Sequence, residues 1–318
     1  MKKVFIIISA YNEQENILPL IDALKENLDG KDFLYEMVFV NDGSKDLTLS
    51  VLLESQKTIP NITIVNQSKN FGHEIAMTAG LNYVAEEIKN KSEEFAVVFM
   101  DADLQHPPEL VSQMIALWQG GRKLVLTKRT NNHGKGWKYK ILGNLYYWIL
   151  NSFSDLKIPR NMPDFRLLDK KYVLWINRLN ETDRMFRGML SLVGLQDAQI
   201  IEFDASKRNA GTTKYNFLKL YKLAIDSVIQ FSVKPLRIAF GFGVLGCLFS
   251  FGVLFYSIYR SYWYGEDKTG FLTLLSITTF FSSITIIFLG VIGEYIGRIH
   301  IEVKNRPLYY NEIIKNEN

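Results

Sequence analysis

The chain has 318 residues, with 37 Lys and Arg against 33 Asp and Glu, for a formal net charge of +4. That length suits one medium α/β domain plus something smaller, and the slight basic excess excludes the dense basic stripe of a nucleic-acid binder. The one cysteine, Cys247, lies in an apolar run, which excludes disulfides and Cys-based zinc sites.

At the N-terminus, Met1-Lys2-Lys3 precedes a short apolar run that ends at Tyr11-Asn12-Glu13. The run is too brief for a secretion signal and reads as a buried strand. The predicted strands that follow are Val4–Ala10, Met37–Val40, Ile62–Val65, Phe95–Met100 and Lys123–Thr127; between them the spacing predicts helices over Glu15–Leu28, Asp46–Thr58, His73–Lys89 and Pro107–Trp118. Val-Phe-Ile-Ile-Ile and Ala-Val-Val-Phe-Met do not alternate, as expected of parallel strands buried on both faces. Repeated β-α units of this length give a doubly wound, mostly parallel sheet, whose ligands bind beyond the carboxyl ends of the strands. Residues 130–215 carry no clear pattern: a basic stretch, the aromatic run Tyr146-Tyr147-Trp148 and a loop with Pro159 and Pro163.

From Asn216 to Arg237 a helical pattern returns. Lys219, Lys222, Asp226, Gln230 and Lys234 recur at steps of three and four, with apolar residues on the other faces. Placed before a membrane span, this reads as an interfacial amphipathic helix. Ile238 to Tyr259 and Thr269 to Gly293 are free of charge, runs of 22 and 25 residues. At about 1.5 Å rise per residue, each exceeds the roughly 30 Å thickness of membrane hydrocarbon. The expected organisation is a domain over 1–215, the interfacial helix over 216–237, spans over 238–259 and 269–293, a short loop over 260–268 and a tail over 294–318. Lys234, Arg237, Arg298, Lys304 and Arg306 flank the spans on one side, whereas the connecting loop carries two basic and two acidic residues. Basic flanks face the cytoplasm, so the domain and both termini belong on the cytoplasmic side of the plasma membrane.

Three polar clusters follow predicted strands. Asp101-Ala102-Asp103-Leu104-Gln105 comes first in chemical weight. In extended chain, residues two apart point the same way, so Asp101, Asp103 and Gln105 could present three oxygen groups to Mg²⁺ or Mn²⁺, a cation that phosphate and water would complete. In Asn41-Asp42-Gly43-Ser44-Lys45-Asp46, Ser44 or Asp46 can cap the next helix, while Asp42 is left to meet a base or ribose. In Ser9-Ala10-Tyr11-Asn12-Glu13, Tyr11 could pack on a base. His73 and His106 read as helix-start or packing residues.

Together these clusters, with Asn70-x-Gly72-His73-x-x-Ala76-x-x-x-Gly80 and Asp101-Ala102-Asp103-Leu104-Gln105-His106-Pro107-Pro108-Glu109, resemble glycosyltransferase family 2. They are most similar to the dolichol-phosphate mannose synthase group and its bacterial polyprenyl-phosphate relatives. The tail Gly290-x-x-Gly293-Glu294-Tyr295-x-Gly297-Arg298 resembles that of the two-helix bacterial members. The resemblance implies a GT-A-type fold, a divalent metal, a nucleotide-sugar donor, a polyprenyl phosphate acceptor, assembly with copies of itself through the membrane region, and inverting transfer. It implies that Tyr11, Glu13 and Asp42 hold the nucleoside, and that Asp101, Asp103 and Gln105 hold metal and diphosphate. Arg129 matches an arginine near the donor phosphates, and Asp164-Phe165-Arg166 a loop beside the reacting centre. Arg184-x-x-Arg187 and Arg208-x-x-Gly211-x-Thr213-Lys214 match later basic motifs. Asn41, Thr213 and Asn216 depart mildly from the family pattern.

A phosphate monoester acceptor is mostly dianionic at neutral pH and hardly needs a base. The demand is to hold two anions together, for which Arg129, Arg166, Arg184, Arg187, Arg208 and Lys214 supply the residue types. Asp164 is either a base or an orienting group. Two other functions compete. A polysaccharide synthase would show Q-x-x-R-W, which this sequence lacks; a silent sugar-nucleotide scaffold would not need Asp101 and Asp103.

Overall fold

The computed structural model describes residues 2–130, 161–179, 181–182, 184–195, 197–204, 232, 234–264 and 270–316. The chain divides into two compact units: Met1–Tyr147, Leu156–Asn216 and Pro307–Asn318 form the first, and Trp148–Asp155 with Phe217–Arg306 the second.

The first unit runs β1 (Lys3–Ala10), α1 (Ile17–Leu28), β2 (Leu34–Asn41), α2 (Thr48–Thr58), β3 (Ile62–Gln67), α3 (His73–Ile88), β4 (Phe95–Asp101), α4 (Glu109–Gln119) and β5 (Leu124–Arg129). These follow the predicted elements within a few residues. Beyond them come β6 (Arg166–Asp169), α5 (Lys170–Asn177), α6 (Phe186–Val193), β7 (Ala198–Phe203) and, from the tail, β8 (Asn311–Ile314). One sheet holds all eight strands, in the order β7-β5-β6-β4-β1-β2-β3-β8. β4–β1–β2–β3 is parallel throughout, as is β5 with β7; β6 runs antiparallel between β4 and β5.

The absence of alternation in β1 has the cause inferred from sequence: the sheet is covered on both faces. Val4, Ile6 and Ile8 pack with Ile17, Leu20, Leu52, Val111 and Met114 on one side; Phe5 and Ile7 pack with Ala76, Leu81, Val84 and Phe186 on the other. α3 lies close enough that a Cβ on Gly80 would meet the Ile7 side chain at 2.5 Å. This fixes the helix against the strand and, with it, where the helix begins.

The second unit contains α7 (Lys234–Tyr264) and α8 (Gly270–Lys304), of 31 and 35 residues. Both helices outrun the charge-free stretches. The described end of the expected interfacial helix, Lys234–Arg237, is the first turn of α7, and the rest of that segment lies outside the described residues. Windows within both helices, Leu236–Val253 and Ile277–Lys304, have mean hydropathies of 1.8 and 1.7. A soluble helical hairpin of this composition would be buried, yet Phe240, Leu245, Phe249, Phe255, Ile286, Ile287 and Leu289 all face outward. Both helices are long and apolar enough to cross a membrane. Their hydroxyls are satisfied internally: Ser250, Thr278, Ser283 and Thr285 each donate to the carbonyl four residues earlier, as hydrocarbon surroundings require. The helices approach closely where Gly246 faces Phe281, whose ring lies 2.8 Å from where a Cβ would stand. Tyr259, Tyr262 and Trp263 are exposed near the end of α7, the place of an interfacial aromatic belt.

The tail, expected as a simple extension, returns to the first unit. β8 pairs antiparallel with β3, Ile64 opposite Ile314 and Gln67 opposite Asn311. Side chains fasten it. Asn82 donates to the Tyr309 hydroxyl at 2.7 Å, Gln56 donates to the Ile314 carbonyl at 2.9 Å, and Lys315 donates to Glu87 at 2.6 Å. The Lys315 hydrogen bond outweighs partial burial and holds the Glu87 carboxyl below its ordinary 4.5. A depressed carboxylate stabilises the fold fully above its unfolded pKa, and the contribution drains away as pH falls through the folded value. Lys315→Ala is therefore expected to flatten the loss of thermal stability below about pH 4.5. Removing residues 309–316 should lower the melting temperature at neutral pH by at least about 2–4 °C, read by tryptophan fluorescence. An unchanged melt would show that β8 carries no stability.

Candidate active site

The carboxyl ends of β1, β2 and β4 open into three loops that lace together. Asn12, at φ +57°, turns the first loop so that its N–H donates to Ser44 Oγ at 3.0 Å, while its own Oδ1 accepts from Lys45 N–H at 2.8 Å. Glu13 N–H donates to Thr48 Oγ1, and Gln14 Oε1 accepts from Leu47 N–H, both at 2.9 Å. Asp46 accepts the Thr48 N–H and the Thr48 hydroxyl in a turn before α2, whose N-cap position is Leu47, so it is not the cap expected from sequence. Partial burial works against it, but the hydrogen bonds prevail and its carboxyl sits below the ordinary range. Tyr11 is left 42% exposed above this lattice, available for stacking.

Asp42 has a duty that the sequence reading did not assign. It is buried, and its two oxygens accept the N–H groups of Phe71 at 2.7 Å and Gly72 at 3.0 Å. Burial pushes its carboxyl up despite those two donors. The residue anchors the loop that leads into α3. Gly43 beside it, at φ +61°, lies so near that loop that a Cβ would stand 2.2 Å from the Lys69 carbonyl carbon.

Asp101 ends β4, directly opposite Ser9 of β1. Ser9 Oγ donates to Asp101 Oδ1 at 3.1 Å and lies 3.1 Å from His73 Nδ1. Beyond Asp101 the chain is not extended. Leu104 adopts φ +59°, so residues 102–105 turn, and the alternation argument for Asp101, Asp103 and Gln105 fails. Asp103 is instead buried within the turn, its Oδ1 accepting Gln105 N–H at 3.1 Å. Burial raises the Asp101 carboxyl, but His73, His106, the Ser9 hydroxyl and Arg129 outweigh it, and the net result lies below the ordinary value. An ionised, partly exposed carboxylate beside a second one fits a hard cation. Among the described residues no three His, Cys, Asp or Glu side chains enclose a metal site. Carboxylate oxygens such as those of Asp101 and Asp103 are the donor type that Mg²⁺ or Mn²⁺ takes, completing its shell with phosphate oxygens and water.

His106 packs, as expected. It is fully buried, stacked on Phe165 at 4.8 Å with planes 11° apart, and its Nδ1 accepts Asp101 N–H at 3.1 Å. Burial lowers its pKa, against the pull of Asp101. Arg129, at the end of β5, brings Nη2 to 3.4 Å from His106 Nε2. Asp164 reaches the same edge because β6 runs antiparallel to β4, with Arg166 opposite Phe99. It is buried in an ion pair with Arg166 and stands 3.8 Å from His73 Nε2. Arg184 closes the loop between α5 and α6 by donating to the carbonyls of Leu179 and Glu181, at 3.2 Å for the latter. Arg187 lies in the first turn of α6. Arg208 and Lys214 lie outside the described residues.

One edge therefore gathers Asp101 and Asp103, a further buried carboxylate and an arginine, in a chain with two membrane-type helices. The model of glycosyl transferase family 2 matches residues 5–174, and that of the GtrB C-terminal hairpin matches residues 234–299. The chain belongs to glycosyltransferase family 2. The glycosyltransferase YkcC of Bacillus subtilis is 39% identical over 96% of this chain and 91% of its own. The bactoprenol glucosyl transferase of Shigella phage SfV is 35% identical over 99% of both chains, and that of phage SfII is 34% identical over 96% of both. Among solved structures, glucosyl-3-phosphoglycerate synthase from Mycobacterium tuberculosis superimposes with a TM-score of 0.49 at 16% identity, covering 71% of this chain and 77% of its own.

In this family 2 enzyme, Ser9, His73 and the loop anchor of Asp42 are what the sequence reading missed. Ser9 follows no motif of its own; only its register opposite Asp101 reveals it. Gly43→Ala is expected to strain the left-handed backbone and force the Lys69 loop away, costing about 1–3 kcal/mol. Denaturant melts of the pure protein check this, and an unaltered midpoint would refute the close approach.

Proposed function

We propose that this enzyme transfers a hexose from a nucleotide sugar, with uridine as the base, to a polyprenyl phosphate at the cytoplasmic membrane face, inverting the anomeric centre. The carrying observation is the carboxyl edge itself, where Asp101, Asp164 and Arg129 meet in a chain that also holds two helices suited to a bilayer. The names of the phage relatives, bactoprenol glucosyl transferases, support the acceptor class. The product would serve as a lipid-linked donor for modifying cell-envelope glycans.

Tyr11 would stack on the base, with Glu13 beside it, and Asp42 would hold the loop that faces the ribose. Asp101 and Asp103, with the Gln105 amide, would hold Mg²⁺ or Mn²⁺, which when bound supplies positive charge against the departing diphosphate. Arg129 gathers the donor phosphates from the opposite side. Arg208 and Lys214 are assigned to the acceptor phosphate, and Arg187 to the donor side. Arg184, engaged with loop carbonyls, contributes by shaping that loop. The acceptor's phosphate oxygen attacks the anomeric carbon, a new C–O bond forms there, and the bond to the nucleoside diphosphate breaks. The attacking oxygen carries no proton that must be removed. The Arg166 ion pair suits Asp164 to orienting rather than proton abstraction, since a carboxylate held by a guanidinium is a poorer base.

Topology follows from the same reading. The chain leaves the first unit after Asn216 and rejoins it at Pro307, so an even number of crossings puts both ends of the hairpin on one side. The basic flanks assign that side to the cytoplasm. Assembly with further copies of the chain through the membrane region belongs to the same reading.

Incubation of the pure protein with a panel of radiolabelled nucleotide sugars and undecaprenyl phosphate, followed by lipid extraction, tests the activity. Label in the lipid fraction from one sugar is expected; none from any donor would overturn the proposal. Asp103→Ala should lower turnover at least about 10²-fold with an unchanged melt, since it removes charge stabilisation at the leaving group. Lys214→Ala should raise the acceptor KM with little change in donor binding, and equal loss of both would reassign it to the donor.

A further inference from the structure

The Asp101 carboxyl ends β4, and Asp164 lies just before β6, the antiparallel neighbour of β4. His73 stands between them. Its Nδ1 lies 3.1 Å from Ser9 Oγ and 3.6 Å from Asp101 Oδ1, and its Nε2 lies 3.8 Å from Asp164 Oδ2. Ser9 Oγ donates to Asp101 Oδ1 and lies within hydrogen-bond distance of His73 Nδ1, so ring and carboxylate meet at the one hydroxyl.

The position of the ring is closely determined. Gly72, at φ +99°, turns the chain into α3, while Asp42 holds the N–H groups of Phe71 and Gly72. Gly80, pressed on Ile7, sets the helix against β1. Neither role expected for this histidine fits. α3 shows no side-chain capping hydrogen bond, so the ring is not a cap. A packing histidine is enclosed as His106 is, yet the His73 side chain is 41% exposed.

We propose that His73, working through Ser9, is a positioning residue that ties Asp101 to Asp164 and sets the spacing between the cation-holding carboxylate and the group that orients the reacting centre. The inference rests on reading this edge as the transfer site. Separations of 3.6 and 3.8 Å are those of a resting site, and such contacts tighten when ligands arrive. The two ring nitrogens have separable tasks. Nδ1 faces Asp101 through the serine, and Nε2 faces Asp164.

The test uses the full-length protein in nanodiscs, with Mn²⁺ binding in the presence of UDP followed by electron paramagnetic resonance alongside turnover. His73→Ala is expected to weaken Mn²⁺ binding about 10–100-fold, as loss of a ligand-orienting partner does. It should also lower kcat about 10²-fold through misplacement of the reacting groups. His73→Asn, whose amide reaches the Nδ1 position, should restore Mn²⁺ binding but not kcat. His73→Gln, which reaches the Nε2 position, should recover part of kcat and leave Mn²⁺ binding weak. Ser9→Ala should reproduce the Mn²⁺ defect, and adding it to His73→Ala should make binding no worse. Wild-type Mn²⁺ binding and kcat in His73→Ala would overturn the bridge alone, as would Asn and Gln variants that fail in the same way as Ala. An unaltered protein that binds no Mn²⁺ with UDP would overturn the reading of the site and the bridge with it.

Discussion

Asp101, at the end of β4, and Asp164, just before β6, must be held at one edge of the sheet. Everything at the carboxyl edge serves that constraint. Asp101 stays ionised because His73, His106, Arg129 and the Ser9 hydroxyl together outweigh burial. Asp164 is kept by the Arg166 guanidinium and faced by the His73 ring. Arg129 and Arg166 bring positive charge to the same edge.

The strand order is what makes this arrangement available. Had β5 paired directly with β4, Arg129 would stand beside Asp101 and no third acid would reach the edge. Insertion of β6 in the reverse direction starts that strand at the carboxyl end of β4, so Asp164 and Phe165 arrive next to the acidic turn. Phe165 then stacks on His106, whose Nδ1 accepts the Asp101 N–H. One antiparallel strand thus brings in both an acid and the packing that steadies its neighbour.

The return of the tail as β8 has a second consequence. It gives β3 a partner, so the strand that leads to the Asp42-anchored loop is not an open edge prone to wrong pairing. The hydrogen bonds from Asn82 and Gln56 and the Lys315–Glu87 ion pair link the tail to α2 and α3. The chain that bears the apolar hairpin is therefore sewn at its far end to the unit that bears the site.

Much of this was legible before any coordinates. Continuous apolar runs revealed β1 and β4, because strands covered on both faces need no polar side; 22 and 25 uncharged residues revealed the two long helices, because length without charge has few other uses. The 130–215 region hid β6, only four residues long, and β7, which is half-covered, and the tail hid β8, whose four residues gain strand character only by pairing with β3. The turn at Leu104, the anchoring of Phe71 and Gly72 by Asp42, and the meeting of Ser9, His73, Asp101 and Asp164 could not be read either. Residue pattern alone determined the doubly wound class and the apolar hairpin, since each depends on periodicity or composition along the chain, while the family came from the resemblance of its motifs. Which side chains touch was decided by tertiary structure, because contacts between residues 9, 73, 101 and 164 depend on strand order and register, and those minimise energy over the whole sheet rather than within any segment of it.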